Sequence, residues 1–284
     1  MRSARAGRAS ATAACLVLSL AAALSLGGVS TVAHAAQEPA RTPKAPPRQL
    51  ELDIEQAAPV GGYTSFVNSG SAVLHISVVT DGGGALLDAR PRIDPASDRA
   101  VRYPRYNSDP AAPHAVIQVV DRRGTDNLDP GLQPFRFGAD FNLDALSEDA
   151  GPGGRDNGDN LIQRGLFNQQ AQYKIQLDHR IVTCRVKGSL GAVAVSSSVH
   201  PVPGTWYRVQ CSRQDDQLTI VVTRWDDGVP TSLRQSVSGT IGVVSPVTRT
   251  VPVSIGGKLA RQGVINGASD QFNGRIDNVF IRVG

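Results

Sequence analysis

The feature that most constrains this chain is the strict alternation of apolar and polar residues in its last third. Tyr173–Leu177, Ile181–Val186, Thr205–Cys211 and Gln217–Val222 follow one another, and Phe272–Val283 ends the series. Successive side chains on a strand point to opposite faces, so a period of two buries one face and wets the other. Turn residues separate the runs, which is the layout of antiparallel strands. Gln49–Glu55, Ala72–Val79, Ala115–Asp121, Pro134–Leu143 and Asn160–Leu166 also read as strands. Between them lie Gly61-Gly62, Asp81–Gly84, Asp129–Gly131 and the stretch Asp149–Asn160, all turn and loop chemistry. No window of a dozen residues carries a helical period. The sequence therefore predicts an all-β fold, a two-sheet antiparallel sandwich.

The N-terminus reads differently. Arg2, Arg5 and Arg8 precede an apolar stretch, Cys15–Leu26, and Ala33-His34-Ala35 supplies small residues before an expected cut at Ala36. This is the pattern of a secretory signal peptide, with an apolar core too short to span a bilayer. Residues 1–35 are accordingly expected to be removed and the product to be extracellular, with no membrane span. Residues 36–48 hold Pro39, Pro43, Pro46 and Pro47 with little to bury, which predicts a flexible leader. The domain proper is expected to run from 49 to 284 as one sandwich.

Export changes how the remaining composition reads. Loss of Arg2, Arg5 and Arg8 leaves 26 basic against 25 acidic residues. A nearly neutral chain without a run of Lys and Arg argues against nucleic acid as a partner. Of three cysteines, Cys15 departs, and Cys184 and Cys211 remain in an oxidising compartment, where a disulfide is expected. Parity agrees: Cys184 shares a face with Val182 and Val186, and Cys211 with Tyr207 and Val209. Both thiols are expected to point into the core from adjacent parts of one sheet. Closing that loop stabilises the fold by roughly 3 kcal/mol.

Three stretches carry a family resemblance. Leu128–Phe141, Gly204–Val209 with Tyr207 where histidine is common, and Ser254–Gly257 followed by Phe272–Val279 resemble the laminin G-like domains of secreted bacterial proteins. These domains belong to the concanavalin A-like lectin and glucanase superfamily. The resemblance implies a jelly roll of about a dozen strands. Its functions range from glycan binding through protein adhesion to glucan hydrolysis, so fold alone does not choose among them.

Two acidic features compete for chemistry. Glu51-Leu-Asp-Ile-Glu55 is similar to the E-x-D-x-E motif of retaining β-glucanases in that superfamily. It implies a nucleophile at Glu51, a helper at Asp53 and an acid/base at Glu55, on one strand face. In those enzymes several strands precede the motif, whereas here it opens the domain, which favours an ordinary first strand with an acidic face. Asp277, by alternation, shares a face with Val279, Ile281 and Val283, so its carboxylate is expected to point inward, and a buried carboxylate needs hydrogen bonds, an opposite charge or a metal. The superfamily often holds a structural calcium between its first and last strands, which implies Asp277 with Asp53 or Glu55 as ligands. An aspartate bonding the backbone of its own turn is the competing reading.

Other templates are missing. His75, His114, His179 and His200 are dispersed, and no zinc-protease helix motif, serine-nucleophile elbow or phosphate loop occurs. Trp206 and Trp225 are the only tryptophans, few for a sugar cleft. The expected function is a non-catalytic recognition module for an extracellular glycan or surface polymer, with structural calcium. Hydrolysis through Glu51 and Glu55, and protein adhesion without a sugar site, are the alternatives.

Overall fold

In the computed structural model the alternating runs become strands. It describes residues 48–284 apart from 93–97, 106, 108, 110, 123–127, 146–157, 179, 227, 246–250 and 266–269. The signal segment, nearly all of the leader, His179 and most of the Asp149–Asn160 stretch lie outside the described residues. The first half carries β1 (Leu50–Leu52), β2 (Ser65–Phe66), β3 (Leu74–Asp81), β4 (Leu87–Ala89), β5 (Ala100–Arg102), β6 (His114–Asp121) and β7 (Phe135–Leu143). Then come β8 (Gly158–Arg164), β9 (Gln172–Asp178), β10 (Ile181–Gly188), β11 (Gly191–Ser196), β12 (Trp206–Gln214) and β13 (Gln217–Asp226). The last are β14 (Val229–Ser238), β15 (Val253–Ile255) and β16 (Gly274–Val283). Among the described residues the one helical piece is a 3₁₀ turn at Arg261–Gly263.

The strands form two antiparallel sheets. The first runs β14-β13-β12-β7-β16-β5-β4, with β1 also paired to β16; the second runs β11-β10-β9-β8-β15-β6-β3-β2. β10 and β12 alternate buried and half-buried residues along their length, as the period of two requires. Their inner faces meet in a core where Phe137 packs on Tyr173 at 5.1 Å between ring centroids and Phe141 stacks on Tyr207 at 5.4 Å. Each such ring contributes on the order of 3 kcal/mol by leaving water. Tyr207, at the position where the resembling family often has histidine, is thus a core residue. Its hydroxyl accepts the backbone N–H of Val202 at 3.0 Å.

Cys184 and Cys211 are bonded, with Cα atoms 6.0 Å apart. The expectation of adjacent positions in one sheet is corrected: Cys184 is on β10 of the second sheet and Cys211 on β12 of the first, so the bond crosses the core. Alternation reports which face a residue occupies and is blind to which sheet it joins. β1 is also shorter than expected, ending at Leu52, with Ile54 making only an isolated bridge to Arg99. Six strands escaped the sequence reading: β2, β4, β5, β11, β14 and β15. β14 is exposed nearly throughout, so no apolar face announces it. Gly256, after β15, has φ +76°, and a Cβ there would lie 1.9 Å from the Tyr103 ring, so only glycine fits the turn.

Candidate functional site

The outer face of the first sheet gathers the polar chemistry of the chain. β7 turns Phe135, Phe137, Ala139 and Phe141 inward, which leaves Arg136, Gly138, Asp140 and Asn142 outward. On β12 the outward set is Trp206, Arg208, Gln210 and Ser212, paired in register with Asn142, Asp140, Gly138 and Arg136. β16 lies on the other side of β7, with Arg282 opposite Arg136, Phe280 opposite Gly138 and Asp277 opposite Asp140.

That last pairing corrects the orientation expected for Asp277. Between Asp277 and Phe280 the register shifts by one residue, a β-bulge in which Asn278 adopts φ +49°. The extra residue breaks the parity counted back from Val283. Asp277 therefore faces outward with Asp140, while Ile276 and Ile281 face the core opposite Phe141 and Phe137. Both aspartates are nonetheless fully buried. Arg208 clamps Asp140 with two bonds, Nε to Oδ1 at 2.5 Å and Nη2 to Oδ2 at 2.8 Å. Arg92 reaches the same carboxylate at 3.5 Å while its guanidinium lies 4.0 Å from the centre of the Trp225 ring. Asn278 donates to Asp140 at 3.2 Å and to Asp277 from both its backbone N–H at 2.7 Å and its amide at 3.0 Å. The backbone-bonding reading of Asp277 is thus met at its own bulge, where the carboxylate accepts the Asn278 N–H.

The bulge falls where β16 changes partner. Its first residues pair with β5 and Val279 to Ile281 pair with β1, so the segment after β1 and the segment before β5 converge beside it. Asp53, Asp98 and Asp277 meet there with ligand oxygens within 4.8 Å of one another. Burial above all pushes the Asp277 carboxyl up to about 8, aided by Asp98, Asp140 and Asp53 and opposed by the Asn278 N–H. Burial and the charge of Asp53 also raise Asp98, against the N–H of Arg99. Asp98 Oδ1 is buried without a hydrogen-bond partner. Among the described residues no Lys or Arg forms an ion pair with any of the three. Hard carboxylate oxygens without an ion-pair partner, with Arg92 alone near enough to lower Asp98, fit a calcium-type cation.

The sequence had pointed to Asp277 with Asp53 or Glu55. Asp53 and Asp277 come together; Glu55 is exposed and outside the group, and Asp98 stands in it instead. Glu51 points outward opposite Phe280 and forms an ion pair with Arg48. Beyond the aspartates the same sheet face opens into a groove of about 360 Å³ lined by Arg136, Gln210, Ser212, Gln217, Thr219, Arg234 and Arg282. Asp98, Asp140, Arg208 and the arginines of this groove were not singled out from sequence. Only the cross-strand register makes them neighbours.

No protein-family model matches the chain, and no curated protein sequence matches it either. Among solved structures it is similar to the binding domain of botulinum neurotoxin serotype G, with a TM-score of 0.52 and 8% identity over 83% of this chain and 47% of that one. It is also similar to the LG1-3 region of the laminin alpha2 chain, with a TM-score of 0.41 and 14% identity over 72% of this chain and 30% of that one. A third likeness is to a PL-14 alginate lyase from Aplysia kurodai, with a TM-score of 0.49 and 7% identity over 84% of this chain and 99% of that one. The chain spans about a third of the laminin structures it matches. The fold is a two-sheet antiparallel sandwich, shared with the neurotoxin binding domain, with one disulfide across its core and an acidic cluster where the last strand changes partner. No helix among the described residues is long and apolar enough to cross a membrane.

Proposed function

We propose that this chain is a secreted, non-catalytic recognition module that binds a glycan or cell-surface polymer on the outer face of its first sheet. The observation that carries the reading is the open groove on that face, where Gln210, Ser212 and Gln217 offer donors and acceptors suited to sugar hydroxyls. The neurotoxin structure similar in fold is itself named a binding domain, which agrees with the reading. Calcium would sit at Asp53, Asp98 and Asp277, neutralise them, and tie the ends of β1 and β5 to β16. Hydrolysis through Glu51 and Glu55 is disfavoured, since Glu51 is paired with Arg48 and Glu55 lies beyond the strand.

The test is retention of the full chain on a broad array of neutral and charged polysaccharides. Gln210→Ala together with Gln217→Ala should weaken retention without lowering the melting temperature. If Glu51→Gln abolished release of reducing ends from a β-glucan, the chain would be a hydrolase instead. Retention of no polymer at all would favour protein adhesion. Secretion is tested separately: N-terminal sequencing of the exported product should begin at Ala36.

A further inference from the structure

We infer that the groove selects an anionic polysaccharide, through Arg136, Arg282 and Arg234; this rests on the binding-module reading above. Arg136 and Arg282 are register partners on β7 and β16, so two guanidinium groups of like charge stand directly opposite each other on one sheet face. Such a pair is destabilising on its own. One row away, where Phe280, Gly138, Gln210 and Val221 lead to β14, Arg234 lines the same groove. No aspartate or glutamate lines it, and none of the three arginines has an ion pair among the described residues. Arg282 Nε is buried without a partner. Elsewhere on this face an arginine is matched: Arg208, two residues from Gln210, is clamped on Asp140.

The unmatched donors therefore await an acceptor from outside the chain. Guanidinium groups present paired N–H donors that fit a carboxylate or sulfate oxygen pair, and the flanking Gln210, Ser212 and Gln217 suit the hydroxyls of the same sugar. A groove open to solvent suits a linear chain with a charge on its sugars better than a small ion alone.

The experiment measures binding of the full chain to polygalacturonate, dextran sulfate and a neutral galactan by affinity electrophoresis. The wild type should be retarded by at least one of the two anionic polymers and by the galactan only weakly, and the retardation should fade at about 1 M salt, where screening is nearly complete. Which anionic polymer is bound tells carboxylate from sulfate. Arg136→Gln with Arg282→Gln should weaken it by roughly tenfold or more, and Arg136→Lys, which keeps the charge but not the fork, by less. Binding of the neutral polymer as tightly as the charged ones, unaltered in the double variant, would overturn the anionic assignment and leave the glycan module standing. No retardation by any polymer would overturn both. A melting temperature lowered by several degrees in Arg136→Gln would show that the arginines serve the fold, and the inference would fail.

Discussion

Two rows on the outer face of the first sheet, carried by the same three strands, treat charge in opposite ways. In the row Asp277, Asp140 and Arg208, the carboxylate of Asp140 is buried and satisfied by Arg208, Arg92 and Asn278. Four residues along, the row Arg282, Arg136 and Ser212 sets like charges opposite each other, with no aspartate or glutamate among the groove's lining residues. A row that meets its own electrostatic needs serves the fold, and a row that does not is built for something else. Asp277 stands between the two cases: its hydrogen bonds are local, and among the described residues neither it nor Asp53 or Asp98 beside it has an ion pair.

The largest expected effect undercuts the open row from below. Cys211 lies on β12 between Gln210 and Ser212, facing the core, and its bond to Cys184 closes a 27-residue separation. Reduction, or replacement of both by alanine, should cost about 3 kcal/mol in denaturant unfolding. Native protein with both thiols reactive before reduction would remove the bond from the account. Next, Arg208→Ala strips the satisfied row of its main partner. Asp140 would be left buried with Arg92 and Asn278 alone, and the loss should be about 1–3 kcal/mol by urea titration, the cost of under-satisfying a buried acceptor whose partner Arg208 is itself half-exposed. A loss under about 0.5 kcal/mol, typical of exposed pairs, would mean the two rows do not differ as described.

The third test concerns Asp277. A carboxyl raised to about 8 in the folded chain holds its proton where the unfolded chain has lost it, so folding takes up a proton between about pH 4 and pH 8. In chelator, its contribution to stability is present in full below about pH 4 and is lost as pH rises through about 8. The apo protein should therefore melt several degrees higher at pH 5 than at pH 8. Calcium bound only by the folded state should raise the melt at pH 8 by mass action, and Asp277→Asn should flatten the pH dependence. A melt at pH 8 unmoved by millimolar calcium would withdraw the cation from this site. The smallest effect is Arg136→Gln without ligand, expected at zero to about 0.5 kcal/mol stabilising because it relieves a like-charge pair. Clear destabilisation would erase the contrast between the rows.

Much of the strand content was legible, since β9, β10 and β12 bury one face and the period of two is the direct print of that burial, while β7 and β16 keep the same alternation of apolar and polar residues although both of their faces are largely covered. β14 was not, because both of its faces are wet. The candidate site was half legible: Asp53 and Asp277 stood out as acids on the first and last strands. Asp98 lies in a segment without periodicity, and nothing in its neighbours signals where that segment runs. Asp277 itself was assigned to the wrong face, because one residue inserted at Asn278 reverses every parity counted across it.

The chain order of apolar and polar residues thus determined, without structural help, that this is an all-β sandwich with two inward cysteines, since local alternation and burial are the same fact seen twice. Which sheet each cysteine joins, which arginine meets an aspartate and which meets another arginine were decided only by tertiary structure. Those outcomes depend on pairing register between strands as far apart as β7 and β16, and one bulge is enough to change it.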